Sequence, residues 1–155
     1  MSLRLGDIFW PWEHSTAHRG QMSAPFQVLA AALAGREIRL PRAGRKAWIY
    51  TRDVGRAIVT FVEAEHPPHG VVNVSTSATW SVADWCRALG RHLDVSFHID
   101  TADPNIALFA DNAPMSLTKL EATGFVAQYP LERATSDYLE WAQSFPEFLV
   151  TESST

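Results

Sequence analysis

The stretch AWIYTRDVGRAIVTFVEA (residues 47–64) decides how the rest of the chain is read. Its first four residues, AWIY, are mostly aromatic and β-branched, the composition of a short strand. With no glycine or proline in between, the pattern then changes period. Val54, Ala57, Ile58, Phe61 and Val62 recur at i, i+3, i+4, i+7 and i+8, which predicts an amphipathic helix. Thr51 is a good N-cap, and Asp53 falls in the first turn, where a negative charge suits the helix dipole. Pro67 and Pro68 lie past the end. Arg52 and Asp53 at the join could mark a catalytic site, a substrate grip or the start of a helix, and the helix start explains Asp53 most simply.

Working outward, strands and helices alternate, which makes the class α/β. RLGDIF (4–9) reads as a strand halted by Pro11, and residues 10–21 as an aromatic, histidine-bearing loop. Ser23 caps a helix with Pro25 in its first turn and Phe26, Leu29, Ala30 and Leu33 on one face; Gly35 ends it. EIRLP (37–41) alternates like a strand, and residues 42–46 form the loop leading to AWIY. VVNVS (71–75) is nearly continuous and apolar, as in a strand covered on both faces. Ser81 and Asp84 have the spacing of a capping box, followed by a core face of Val82, Trp85, Cys86, Leu89 and Leu93. VSFHID (95–100) is another strand and residues 103–114 a loop. Ser116 caps a short helix closed by Gly124. Leu131, Ala134, Tyr138, Trp141, Ala142 and Phe145 form the last helical face, stopped by Pro146. The expectation is one lobe over residues 1–150, a small mixed sheet with about five helices, and a disordered polar tail at 151–155.

Composition bounds the function. The chain has 155 residues, 46% of them apolar, enough for one domain with a core. Six tryptophans and eight phenylalanines must be covered by a core, a pocket or a partner. A net charge of −4 and a pI near 5.8 argue against nucleic acid as a partner and give no attraction to anionic membranes. No apolar run approaches the ~20 residues of a membrane span and no signal-peptide pattern opens the chain, so a cytoplasmic protein is expected. The single cysteine, Cys86, allows no intrachain disulfide and reads as a buried small apolar residue.

The motifs of catalysis are absent. There is no G-x-G-x-x-G, G-x-x-G-x-x-G or P-loop turn to cradle a phosphate, and no G-x-S-x-G nucleophile elbow. Tyr50, Tyr129 and Tyr138 have no lysine four residues later. No catalytic or cofactor-binding residue is therefore assigned. The pairs His14/His18 (with Glu13 beside them), His66/His69 and His92/His98 could contribute to a metal site, but ordinary surface histidines explain them better, and no metal is assigned. Arg36, Arg39, Arg42, Arg45 and Lys46 fall within eleven residues. Their long cationic chains could converge on a carboxylate, phosphate or sugar; the other reading is a solvated hairpin tip.

The order of the pieces carries a resemblance. RLGDIFWPWE, ALAGREIRLPRAGRKAWIYTRDVGRAIV, GVVNVSTSATWSVADWCRAL, MSLTKLEATGF and YPLERATSDYLEW follow in sequence. Together they resemble the C-terminal half of the extended short-chain dehydrogenase/reductases, the NAD-dependent epimerase/dehydratase family. That family runs Arg-x-x-Asn-x-Tyr-Gly-Pro, a small-residue helix, Tyr-Val-x-Asp-Val-Ala-x-Ala, Tyr-Asn-Val-Gly, Lys-Leu-x-x-x-Gly-Phe and a final helix ending in Trp. The resemblance implies a substrate-binding lobe for a sugar or nucleotide-sugar-like substrate. It implies NAD or NADP for the full-length enzyme, held by an N-terminal Rossmann half that also carries the Tyr-x-x-x-Lys, with no cofactor bound by this chain alone. The alternative is a non-catalytic binding or interaction module derived from that fold. The family's motif asparagine falls on Asp7, its Tyr-Gly on Phe9 and Trp10, and the arginine before its aromatic strand on Arg45 or Lys46. The substrate-binding residues implied are Asp7, Trp10, Arg42, Arg45 and Lys46. A carboxylate at position 7 opposes a diphosphate and favours a smaller or neutral polar ligand. Strands left without the Rossmann half would expose edges, so self-association is expected.

Overall fold

Gly6 divides the first strand. The structure, a computed structural model, describes residues 1–13, 21–111 and 113–149. Where one strand was expected over residues 4–9, β1 (Ser2–Leu5) and β2 (Asp7–Phe9) flank the glycine and join different partners. A Cβ at Gly6 would stand 2.6 Å from Ser75 Oγ, so only glycine lets the backbone pass there. The chain continues through α1 (Ala24–Leu33), β3 (Ile38–Leu40), β4 (Arg45–Lys46), β5 (Trp48–Tyr50), α2 (Thr51–Glu63), β6 (Val71–Val74), β7 (Trp80–Ser81), α3 (Val82–Leu89), β8 (Phe97–Ile99), α4 (Thr118–Glu121) and α5 (Leu131–Ser144), and ends in a 3-10 turn, Pro146–Leu149.

The strands form short pairs. β1 runs parallel to β6, β2 to β5 and β3 to β8, while β4 is antiparallel to β7. The fold is mixed α/β with five α-helices among the described residues, as the alternation of the sequence requires. The hairpin reading of residues 37–50 is corrected: β3 and β5 are not neighbours, and the segment read as a loop between them contains β4. Two-residue strands carry too little pattern to be seen in a sequence.

β5 separates two cores. Its residues are all buried, but Trp48 and Tyr50 point into the larger cluster and Ile49 into the smaller, as the period of two demands. The larger core packs α1, α3 and α5 around Phe9, Phe26, Leu29, Trp85 and Tyr138. The smaller joins α2, β6 and α4 through Val54, Ala57, Phe61, Val72, Val74 and Leu120.

Helix ends follow local chemistry unevenly. Ser23 accepts from Phe26 N at 3.3 Å and starts α1, and Gly35 ends it at φ +63°. At α3 the capping box is complete: Asp84 N donates to Ser81 Oγ at 3.1 Å, and Ser81 N donates to Asp84 Oδ2 at 2.9 Å. Those hydrogen bonds from Ser81 hold the Asp84 carboxyl below its usual range, with Arg45 and Arg87 assisting. Two expected caps are corrected. Thr51 is the first helical residue of α2, with Tyr50 at the cap, and Leu117 rather than Ser116 occupies the cap of α4.

The apolar face of α2 is narrower than its spacing suggests. Val54, Ala57 and Phe61 are buried, but Ile58 and Val62 are exposed, as is Val59. β6 is likewise not covered on both faces: Val72 and Val74 are buried while Val71 is exposed. The expected tail lies outside the described residues.

Candidate functional site

β2 and β4 bring the first site residues together. Asp7 opens β2 and Lys46 closes β4, and the Lys46 ammonium donates to Asp7 Oδ1 at 2.8 Å. The lysine side chain is 4% exposed and the aspartate 26%, so the carboxylate is the partner that meets solvent. The ammonium also sits 5.6 Å from the Trp48 ring centroid and 5.9 Å from that of Phe109. Removing one partner from a pair this buried costs about 3–5 kcal/mol, because the other charge is left without compensation.

Arg42 extends the same line. Its Nη2 donates to the Phe109 carbonyl at 2.5 Å and to Asp111 Oδ1 at 3.0 Å, so the backbone at Phe109 and the side chain of Asp111 are held by one guanidinium. Arg45 belongs elsewhere. One residue from Lys46 in a strand, it projects from the opposite face and donates to the Thr79 carbonyl at 3.0 Å and Asp84 Oδ2 at 3.4 Å. Trp10 directly follows β2 and is half-buried. Of the residues singled out in the sequence, Lys46 and Arg42 both contact Phe109, Asp7 is joined to Lys46, Trp10 follows β2 in the chain, and Arg45 braces the start of α3.

The strand–helix join at Tyr50–Asp53 is built for packing. Asp53 is fully buried and accepts from Gln128 N, Tyr129 N and Arg56 Nη1 at 2.8–3.1 Å. Tyr50 Oη and Arg52 Nε both donate to Asp137 Oδ2, at 2.7 and 2.8 Å, pinning the join to α5. Burial, reinforced by that carboxylate, pushes the Tyr50 phenol far above its ordinary value, so it holds its proton. The Cys86 thiol is buried and pushed up to about 12, which makes it an inert core residue.

No group of three or more metal-ligating side chains converges among the described residues. His14 and His18 lie outside them. Glu13 is fully buried and accepts from the backbone and hydroxyl of Ser23, the latter at 2.8 Å, so it steadies the start of α1.

A cleft of about 580 Å³ opens between the 75–80 loop and residues 117–131, with Trp48, Thr76, Trp80, Leu120, Phe125 and Tyr129 among its walls. None of the five sequence-derived site residues lines it. The sequence reading also missed Phe109, Asp111 and Asp137. Phe109, a large aromatic in an irregular segment, was the one legible signal.

No protein-family model matches the chain. No curated protein matches it either. Solved structures do. ADP-L-glycero-D-manno-heptose-6-epimerase of Helicobacter pylori is 22% identical, with 92% of this chain and 44% of that one aligned at a TM-score of 0.64. UDP-glucuronic acid 4-epimerase of Bacillus cereus, solved with UDP-glucuronic acid and NAD, is 15% identical over 92% and 45% of the two chains, TM-score 0.68. The chain has the fold of the C-terminal half of the NAD-dependent epimerases and dehydratases. UDP-glucose 4-epimerase of Bifidobacterium longum, solved with NAD⁺ and UDP, shows the same likeness at 15% identity, TM-score 0.67, over 94% of this chain and 48% of that one. The chain spans less than half the length of these epimerase structures. No helix among the described residues is long and apolar enough to cross a membrane.

Proposed function

We propose that the chain is the substrate-binding part of an NAD(P)-dependent epimerase, dehydratase or reductase acting on a sugar-like substrate. The observation that carries this is the fold likeness over nine-tenths of the chain to enzymes solved with UDP-sugars and NAD. The residues present do not fit a dinucleotide. The strand–helix turn at Tyr50–Asp53 has no glycine-rich loop, and its carboxylate is buried against the amides of residues 128 and 129 where a phosphate cradle would offer free N–H groups. Tyr50 keeps its proton and has no lysine four residues on. Hydride transfer therefore belongs to residues of a Rossmann half, and the role of this lobe is to hold and orient the substrate.

The test is turnover. The chain alone, given NAD⁺ or NADP⁺ and a panel of sugars and nucleotide sugars, is expected to yield no reduced cofactor at 340 nm. Adding a Rossmann half that carries the glycine-rich turn and Tyr-x-x-x-Lys is expected to restore the reaction. Robust reduction by the chain alone would overturn the reading.

A physical corollary concerns association. β1 pairs with β6 in a two-stranded parallel sheet, and Leu5, Val71, Val59 and Val62 are exposed beside it on the strands and on α2. Unpaired strand edges and apolar faces invite a second chain. Light scattering is expected to show a mass that rises with concentration; a monomer stable across the range counts against this.

A further inference from the structure

The cleft between the 75–80 loop and residues 117–131 has a chemistry of its own. Trp48, Trp80, Leu117 and Leu120 are buried along it, and Phe125 and Tyr129 are half-buried. Its walls are set without a ligand. Ser75 Oγ donates to the Ala47 carbonyl at 3.0 Å and Thr76 Oγ1 to that of Ala78 at 2.8 Å, which fixes one side. Asp53 holds the amides of Gln128 and Tyr129, which fixes the other. A preformed cleft of about 580 Å³ walled mostly by apolar side chains has the size and make-up of a small-molecule site. None of Asp7, Trp10, Arg42, Arg45 and Lys46 lines it, so it is separate from the sugar-binding reading above.

Charge selects the ligand. Glu121 is the one charged residue lining the cleft, and no lysine, arginine or histidine joins it there. The side chain is exposed, and its carboxylate makes no ion pair or hydrogen bond among the described residues. The rings themselves have little face to offer a cation. Trp80 is stacked between Trp48 and Trp85, with centroids 5.4 and 5.7 Å apart. Arg133 covers Tyr129 at 4.4 Å and Arg56 covers Phe125 at 5.5 Å, and neither arginine lines the cleft. The rings therefore supply apolar contact and the carboxylate supplies the charge, which repels an anion and attracts an amine. We infer that this cleft binds a small amphipathic amine, its apolar body against Trp48 and Trp80 and its ammonium paired with Glu121.

The experiment is an NMR titration of the chain with tryptamine, tryptophol and indole-3-acetate, which share one ring system and are cationic, neutral and anionic. Tryptamine is expected to give saturable shifts at residues lining the cleft, the indole N–H signals of Trp48 and Trp80 among them. Tryptophol is expected to bind about threefold to fivefold more weakly, the size of an exposed ion pair, and indole-3-acetate more weakly still. The advantage of tryptamine is expected to shrink in high salt. Glu121→Gln, at an exposed position, is expected to bring tryptamine down to the affinity of tryptophol and leave tryptophol unchanged. Ala78→Trp, at an exposed position on the cleft wall, is expected to obstruct the cleft and weaken tryptamine and tryptophol together by at least about tenfold. Circular dichroism confirms the fold of both variants. No saturable shift with tryptamine, or shifts confined to residues outside the cleft, overturns the inference. Tryptophol or indole-3-acetate binding as tightly as tryptamine, or an advantage of tryptamine that survives Glu121→Gln, overturns it as well.

Discussion

Asp53→Ala is expected to destabilise the chain by about 3–5 kcal/mol, seen as a lowered urea midpoint with unchanged slope. The carboxylate has no exposure and sits in the first turn of α2. It accepts from Gln128 N at 2.9 Å and Tyr129 N at 2.9 Å, across more than seventy residues of sequence, and from Arg56 at 2.8 Å. The arginine is 37% exposed and can return to water when its partner is lost. The two half-buried amides lose their acceptor, at up to about 1–3 kcal/mol for each that water does not reach. A smaller share, about 0.3–1 kcal/mol, comes from losing a negative charge at a helix N-terminus. Asp53→Asn keeps an acceptor of the same shape and is expected to recover roughly half of the loss. A cost under about 1 kcal/mol for alanine would show that the 128–129 segment holds its place without this clamp. Because Tyr129 lines the cleft beside Trp48, the same substitution is expected to loosen that wall.

The contrast between Asp53 and Asp7 shows what a sequence can disclose. Both stand near the ends of short strands, and both carry the same group. The dipole of the helix beginning at Thr51 is a local fact, so a structural role for Asp53 could be read from its position; its partners, seventy-five residues away, could not. Asp7 has no local role, and only the family resemblance marked it. That its charge is taken up by Lys46, thirty-nine residues on, depends on β2 pairing with β5, which sets Asp7 opposite Trp48, two residues past the lysine. Capping follows the same division. Ser81 with Asp84 and Ser23 with Pro25 were legible because every partner lies within one helical turn. Thr51 and Ser116 were misread because tertiary packing sets where α2 and α4 begin, and a good capping residue one place away from the real boundary looks the same in sequence. Ile58 and Val62 extend a valid helical pattern to a face that nothing described here covers. Periodicity reports which residues can share a face, not which faces find a partner.

Phe9 is where the departure from the family motif and the packing of the core coincide, and Phe9→Ala is expected to cost about 3–5 kcal/mol. The ring is 1% exposed. It meets Trp80 and Trp85 edge-on at 5.4 Å each, Tyr50 at 5.0 Å, and Trp48 and Tyr138 at 6.3 and 6.2 Å. Edge-to-face pairs contribute beyond the area they bury, so deleting the ring at their centre removes several at once and leaves a cavity whose walls are too stiff to close. The indoles of Trp48, Trp80 and Trp85 report the change directly. Their near-ultraviolet circular dichroism is expected to fall with stability, while the far-ultraviolet helix signal is retained below the melting temperature. Phe9→Tyr supplies the tyrosine of the motif this segment resembles, yet it places a hydroxyl in a cage of rings. If no acceptor lies in reach, that group costs about 1–3 kcal/mol, so tyrosine is expected to fall between phenylalanine and alanine. A tyrosine variant as stable as the parent would mean that β2 has room for a hydroxyl at this position. An alanine variant losing less than about 1 kcal/mol would mean that the six rings do not form one packed unit, and with it the account of how β2, β5, α3 and α5 are held together would fail.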